Sequence, residues 1–402
     1  MTIDTKSKPH KIAVIYPYFA HYREPKLHAL INESVHHYDF FGDTHSYGLG
    51  IKLTEDFPKG RFIKIKGYYF KPFMIQPGAL PIALGSKYDT LLLWGNCTWP
   101  TMWLAALLGK LRGKKILYFT HGWIRKDPGL KGWFRNAFYK IADGLLVYGH
   151  RSKCIGIDFG FDPAKIHVMY NTLDCDYQDA IRAKLKPDDR QKTREKLFGK
   201  DSSNPILVNV TRLHHFKKLD MLIDAAAKLN QRGTPTNVLI IGEGPHKPEL
   251  EQLAKEKGVN AVFTGALYDE LEIGLMLNAS DLAVMPGPVG LLVMHAFAYG
   301  VPVVSNNDYN TQMPEFEAII PGLTGDFFEA GNLDSLTDTI ERVLKSPMTY
   351  EERYDKTRES IERFYNPRSQ LITIDRAVEG CDANDLYIAG LDRRVSPDGS
   401  SS

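Results

Sequence analysis

Short apolar runs alternate with amphipathic stretches along most of the chain. Lys11–Tyr16 (KIAVIY), His36–Gly42 (HHYDFFG), Tyr88–Gly95 (YDTLLLWG), Lys115–Thr120 (KILYFT) and Gly144–Tyr148 (GLLVY) have strand length and dense apolar content. A strand that is apolar on both faces belongs inside a parallel sheet covered by helices. Between these runs, residues 23–34, Trp99–Leu111, residues 130–142 and residues 151–159 have helical patterning. In the third of these, Trp133, Phe134, Ala137, Phe138 and Ile141 share one face. Strand and helix in alternation over roughly 160 residues predict an α/β fold with a doubly wound parallel sheet.

Residues 174–204 change character. They are polar and charged, with few positions fit for a core, and read as a connector. The alternation then restarts. Pro205–Val210, Asn237–Gly242 and Ala261–Gly265 read as strands; Lys218–Arg232, Pro248–Lys257, Asp269–Asn278, Leu333–Leu344 and Tyr350–Tyr365 read as helices. The pattern predicts one α/β domain over 1–173 and a second over 205–365. A C-terminal helical segment over 366–390, centred on Gln370–Val378, is expected to pack back toward the first domain. The last residues, 391–402, hold few apolar positions and are expected to be disordered. Leu53–Leu80 mixes Lys64, Lys66 and Lys71 with Phe62, Tyr68, Tyr69, Phe70 and Phe73. The favoured reading is a half-buried hairpin with its lysines on the wet face. The other is an acceptor or membrane-surface patch, in which cations meet anionic lipid and aromatics sit at the interface.

The second half is organised around Met285–Asn307, MPGPVGLLVMHAFAYGVPVVSNN. An apolar run ends at Met285, and Pro286-Gly287-Pro288 stops it. Gly290 is expected to open a buried helix whose first-turn N–H groups lack intrahelical partners and suit a phosphate. His295 is the side chain on that helix that titrates near neutral pH. Gly300 ends the helix, and Val301–Ser305 is the next strand. Doubly wound folds bind ligands outside the carboxyl ends of their strands, where such a loop lies. A plain strand–helix–strand unit with a tight turn explains the same residues.

Composition narrows the class. The chain has 402 residues, 43% hydrophobic and 24% charged, with a formal net charge of +2. No basic excess marks a nucleic-acid binder, so no nucleic-acid partner is expected. Cys97, Cys154, Cys175 and Cys381 have neither disulfide-framework nor zinc spacing. The polar start MTIDTKSKPHK has no apolar signal region, and no run approaches the roughly 18 residues of a membrane span. A cytoplasmic protein is expected; contact with the inner face of a membrane follows only from the second reading of the aromatic segment.

Three further loops carry candidate chemistry. Arg212 and Lys217 follow the first strand of the second domain, where a planar fork and a point charge suit a diphosphate; a solvated basic loop is the plain alternative. Gly242-Glu243-Gly244 ends the next strand and permits close approach of a ligand, or is a simple turn. His121 follows a first-domain strand, where a histidine either contacts a reacting centre or is structural.

Taken in order, TRLHHFKKLDMLIDA, LIIGEGPHKPELEQL, VFTG and DLAVMPGPVGLLVMHAFAYGVPVV resemble the second domain of family 4 retaining glycosyltransferases of the GT-B fold. The likeness covers roughly residues 205–345. It extends more weakly to the first domain through KIAVIYPYFAHYR, FTHGW and Tyr170-Asn171-Thr172-Leu173-Asp174. The resemblance implies two Rossmann-like, doubly wound domains facing across a cleft, the first for the acceptor and the second for the donor. It implies a nucleotide diphosphate sugar as co-substrate, a glycan or lipid-linked acceptor, no cofactor and no obligatory metal. By the same resemblance Arg212 and Lys217 are the donor-diphosphate pair; with His121, read from its place at a strand end, they are the catalytic candidates. Gly242, Glu243, Gly244, Gly287, Pro288, Val289, Gly290, Leu291 and His295 are the donor-binding candidates. The family usually places two glutamates eight positions apart; here the second position is His295 and the first is Gly287. Histidine at this place resembles a bacterial polysaccharide-type subgroup. Met313-Pro314-Glu315-Phe316-Glu317 offers carboxylates downstream. The absent glutamates keep two other classes in view, a silent nucleotide-sugar-binding protein and a sugar-nucleotide epimerase.

Overall fold

The structure, a computed structural model, describes residues 8–45, 47, 52–54, 57 and 60–384. Residues 391–402, read above as a disordered tail, lie outside the described residues, as do 385–390. Contacts divide the chain into two compact units. Among the described residues, the first combines those up to 174 with 366–384, and the second is 175–365.

In the first unit the apolar runs become β1 (Lys11–Tyr18), β2 (His37–Asp43), β3 (Phe62–Lys64), then, past a small hairpin, β6 (Thr90–Trp94), β7 (Lys115–Phe119), β8 (Gly144–Val147) and β9 (Ile166–Val168). They form one parallel sheet in the order β3-β2-β1-β6-β7-β8-β9. Ile12, Ile15, Leu91, Leu92 and Leu93 are fully buried, as a sheet covered on both faces requires. The chain leaves β1 toward β2 on one side, while β6 and β7 continue on the other, so a topological switch point lies between β1 and β6.

The aromatic segment is not the half-buried hairpin expected. It is divided into β3, an edge strand, and a separate antiparallel hairpin of β4 (Tyr68–Phe70) and β5 (Phe73–Ile75). Of the hairpin strands only Met74 is buried, and Phe70 and Phe73 are 63% and 51% exposed. Two short strands offer too little area to bury both faces, and the register gives the core one anchor. The C-terminal helix Pro367–Glu379 belongs to this unit. Its buried Asp375 accepts from Tyr38 Oη at 2.6 Å and from Ser34 Oγ at 2.8 and 2.9 Å. Burial raises the Asp375 pKa, and the two hydroxyls oppose that rise.

The second unit repeats the design with β10 (Ile206–Val210), β11 (Asn237–Ile241), β12 (Asn260–Gly265), β13 (Leu282–Met285), β14 (Val303–Asn306) and β15 (Gly325–Phe328). The order is β12-β11-β10-β13-β14-β15, all parallel, with its switch point between β10 and β13. Residues 175–204, read as a connector, pack into this unit. Their helix Asp189–Phe198 carries Arg190 and Arg194, which hold Asp281 at 2.6 and 2.9 Å. Asp281 also accepts from the Ile206 N–H at 2.7 Å, so one carboxylate joins this helix to the starts of β10 and β13. Charged residues that look solvated in sequence are satisfied by partners distant along the chain. No helix among the described residues is long and apolar enough to cross a membrane.

Candidate functional site

The candidate donor residues converge at the switch point of the second unit. The loop after β10 carries Arg212 and Lys217, and the loop after β13 carries Pro286–Gly290. Lys217 Nζ donates to Pro288 O at 2.8 Å, and the Gly287 N–H donates to Lys217 O at 2.9 Å. The two loops are therefore tied by a side-chain and a backbone bond. Burial lowers the Lys217 pKa, and the carboxylate of Glu315 opposes that shift. Glu315 is 3% exposed, in the turn Pro314–Ala318. The downstream carboxylate noted in sequence thus sits within electrostatic reach of the lysine. Arg212 is exposed.

Gly287 has no room for a side chain. A Cβ there would lie 2.5 Å from Phe216 O and 2.7 Å from the Lys217 backbone. The position eight before His295 is glycine because the lysine loop fills the space a glutamate would need. Gly242 is similarly constrained: at φ 153° its Cβ would fall 1.8 Å from Thr211 O. The Leu213 N–H donates to Glu243 O at 3.0 Å, so Gly242-Glu243-Gly244 lies directly against the Arg212 loop. Glu243 is exposed, and its ion pair with Lys247 at 3.0 Å lowers its pKa.

The helix after the β13 loop is shorter than expected. It runs Leu292–Ala298, with Leu291 at its N-cap, and does not begin at Gly290. The N–H groups of Gly290, Leu291 and Leu292 have no acceptor among the described residues, as the start of a helix dictates. Val289 is turned inward, its N–H donating to Gln312 Oε1 at 2.7 Å. Gln312 Nε2 in turn donates to Ser305 Oγ and Asn306 O, and Asn306 Nδ2 donates to the carbonyls of Pro286 and Gly287. These buried amides hold the loop from beneath. Their only sequence signal was polarity at the end of an apolar strand.

His295 has a partner that sequence reasoning missed. Its Nε2 lies 3.3 Å from Glu270 Oε2. Glu270 Oε1 accepts from Tyr299 Oη at 3.0 Å and from Gln178 Nε2 at 3.1 Å. Burial alone would raise the Glu270 pKa, but the hydrogen bond from His295, with those from Gln178 and Tyr299, holds it below the usual glutamate value. Glu270 opens the helix Glu270–Ala279 beside the capping Asp269, where a carboxylate passes as routine.

His121 belongs to the first unit and is described with it. Burial, with the charge of Arg23 adding to it, pushes its pKa down to about 4, so the ring is neutral near pH 7. Its Nδ1 is buried without a hydrogen-bond partner among the described residues. As for metal-ligand chemistry, the described residues bring His215, His246 and Glu249 together, with ligand atoms within 4.8 Å of one another. That trio joins the turn His215–Lys217 to the first turn of the helix Lys247–Glu256, capped by His246.

The family described as Glycosyl transferases group 1 matches residues 189–362, and the Glycosyltransferase Family 4 description matches residues 56–177. Among curated relatives, the chain is 26% identical over 281 residues to a GDP-mannose-dependent alpha-(1-6)-phosphatidylinositol monomannoside mannosyltransferase of Mycolicibacterium smegmatis. The match covers 65% of this chain and 69% of that one. It is 28% identical over 226 residues to an alpha-D-kanosaminyltransferase of Streptomyces kanamyceticus, covering 55% of this chain and 56% of that relative. The chain thus spans about two thirds of one relative and little over half of the other. The solved structure of Anabaena HepE in complex with UDP superposes with a TM-score of 0.67 at 16% identity, over 92% of this chain and 99% of that one. With its two parallel α/β units the chain has the GT-B fold; residues 189–362 are similar to the glycosyl transferases group 1 and residues 56–177 to glycosyltransferase family 4.

Proposed function

We propose that the protein transfers a glycosyl group from a nucleotide diphosphate sugar to a hydroxyl of a glycan or lipid-linked acceptor, with retention at the anomeric carbon. The observation that carries the donor site is the pair of bonds joining the Lys217 loop to the Gly287-Pro288 loop, beside the open N–H groups of Gly290, Leu291 and Leu292. In transfer the acceptor oxygen bonds to the anomeric carbon, and the bond from that carbon to the diphosphate breaks. The leaving diphosphate takes the electron pair, and the hydroxyl proton passes to it. Arg212, Lys217 and the loop amides meet the developing negative charge, with no obligatory metal. Retention is supported by the resemblance to family 4.

The nucleotide donor is supported by the GDP-mannose in the first relative's name and by the UDP in the Anabaena complex. The two nucleotides share a diphosphate, which is the group this loop geometry suits. Gly242-Glu243-Gly244 lines the donor, and His295, held by Glu270, stands where the family usually contacts the nucleotide. His121, neutral and with a buried ring nitrogen lacking a partner among the described residues, is the catalytic candidate of the first unit. The exposed aromatics of β4 and β5, with exposed Lys64, Lys66 and Lys71, favour contact with an anionic membrane surface that holds a lipid-linked acceptor.

The test is binding and turnover against a panel of nucleotide sugars, with wild type beside Arg212→Ala/Lys217→Ala. Stabilisation by one nucleotide, lost in the folded double variant, supports the donor assignment. An intact double variant with unchanged nucleotide affinity rejects it.

A further inference from the structure

Two cations in the first unit, Lys26 buried and Arg23 partly so, have no paired carboxylate among the described residues. Lys26, on the helix Glu24–Asn32, is 6% exposed. Its ammonium rests 3.9 Å from the ring centre of Phe119 and 5.9 Å from that of Tyr16. Among the described residues it has no hydrogen-bond or ion-pair partner. The Arg23 guanidinium donates to Tyr16 Oη at 3.3 Å and packs against Tyr16 and Trp94, 5.3 and 5.8 Å from their ring centres. Tyr148, Tyr16 and Tyr22 act electrostatically to favour the charged form of Arg23.

The plain reading is a pair of cations satisfied by aromatic faces. A cation–π contact offsets only part of the cost of taking an ammonium out of water, and it offers nothing to the three N–H donors. Burial, with the charge of Arg23 adding to it, lowers the Lys26 pKa. The position is also one built for ligands. Tyr16 lies on β1, Trp94 ends β6 and Phe119 ends β7, so the cations sit over the carboxyl ends of the strands at the switch point. His121, with its buried unpartnered Nδ1, follows β7 and contacts Trp94.

We propose that Arg23 and Lys26 form an oxyanion site that takes a phosphate group, and that the acceptor carries this phosphate. Two cations match the charge of a phosphate monoester, with arginine as a directional fork and lysine as a point charge. Identifying the acceptor as the carrier rests on the glycosyltransferase reading; binding of phosphate does not.

The experiment titrates inorganic phosphate into the full-length protein in phosphate-free buffer, by calorimetry and by thermal unfolding. Wild type is compared with Lys26→Met, Arg23→Gln and Arg212→Ala/Lys217→Ala. Lys26→Met is expected to raise the unfolding midpoint without phosphate, because it removes an unpaired buried charge, and to weaken phosphate binding at least about tenfold. Arg23→Gln is expected to weaken phosphate binding similarly. The Arg212→Ala/Lys217→Ala protein is expected to keep a phosphate site of wild-type affinity, separating this site from the donor loops. A Lys26→Met protein that melts lower without phosphate, or that binds phosphate as wild type does, overturns the proposal. A water-soluble short-chain phosphatidic acid is then expected to compete with phosphate, and the matching diacylglycerol is not. Phosphate binding without that competition overturns the acceptor assignment. Nucleotide binding unchanged in Arg212→Ala/Lys217→Ala counts against the donor reading alone.

Discussion

Replacing His295 by glutamate, the residue family 4 usually carries there, is expected to weaken this protein instead of restoring a missing group. His295 faces Glu270 at 3.3 Å, and the two side chains are 20% and 14% exposed. Two carboxylates at that separation repel by about 5 kcal/mol at an effective dielectric constant of about 20. The pair escapes by holding a proton, which at pH 7 costs an ordinary glutamate roughly 3 to 4 kcal/mol. The smaller figure governs, so His295→Glu should lose about 3 kcal/mol near neutral pH. The pH dependence has a definite sign. The folded variant retains a proton that the unfolded chain releases at the usual glutamate value. Its stability therefore falls as pH rises above that value. Wild-type Glu270 behaves oppositely. Its pKa is held down by the partners that outweigh burial, so its contribution is present above the usual value and is lost as pH falls through its lowered pKa. Denaturant unfolding at about pH 5.5 and about pH 8 would compare wild type, His295→Glu, Glu270→Gln and the double variant. The His295→Glu loss should be larger at the higher pH. The double variant should recover most of it, since a glutamine at 270 donates to a glutamate at 295. A His295→Glu protein as stable as wild type at pH 8, or one with equal losses at both pH values, refutes the reasoning.

Three other outcomes are expected. Gly287→Ala drives a methyl into the Lys217 backbone, so it should cost about 1 to 3 kcal/mol by overpacking and lower nucleotide affinity; an unperturbed unfolding curve and affinity would remove the steric account. Arg194→Met leaves Asp281 and the carbonyls of Ser202, Ala279 and Asn204 short of a donor, and should destabilise the second unit by about 3 kcal/mol, measured by urea titration against wild type. Phe70→Ser/Phe73→Ser should reduce sedimentation with anionic vesicles severalfold without altering the melting temperature, because both rings are largely exposed; unchanged sedimentation discards the membrane reading.

The hydrophobic pattern alone determined two parallel α/β units, because strands buried on both faces must read as continuous apolar runs such as Ile12–Tyr16 and Val238–Ile241. It also located the loops at strand ends, since glycine and proline interrupt those runs at Gly242 and at Pro286-Gly287-Pro288. Short edge elements were less legible. β9 and β15 carry three and four residues and too little periodicity, and the aromatic segment read as a half-buried hairpin because its rings are apolar whichever way they face. The connector was misjudged because charge reads as solvation until a partner is known; Arg194 and Asp281 are 87 positions apart. The same limit hid Glu270 from His295, 25 positions away, and the aromatic rings that surround Arg23 and Lys26. Why Gly287 is glycine was decided only by the tertiary structure. The reason is the backbone of Lys217, which the fold brings within 3 Å of where a side chain would begin. Sequence fixes local preference through each residue's own neighbours, whereas pairing, desolvation and excluded volume arise between loops that meet only when the sheet forms.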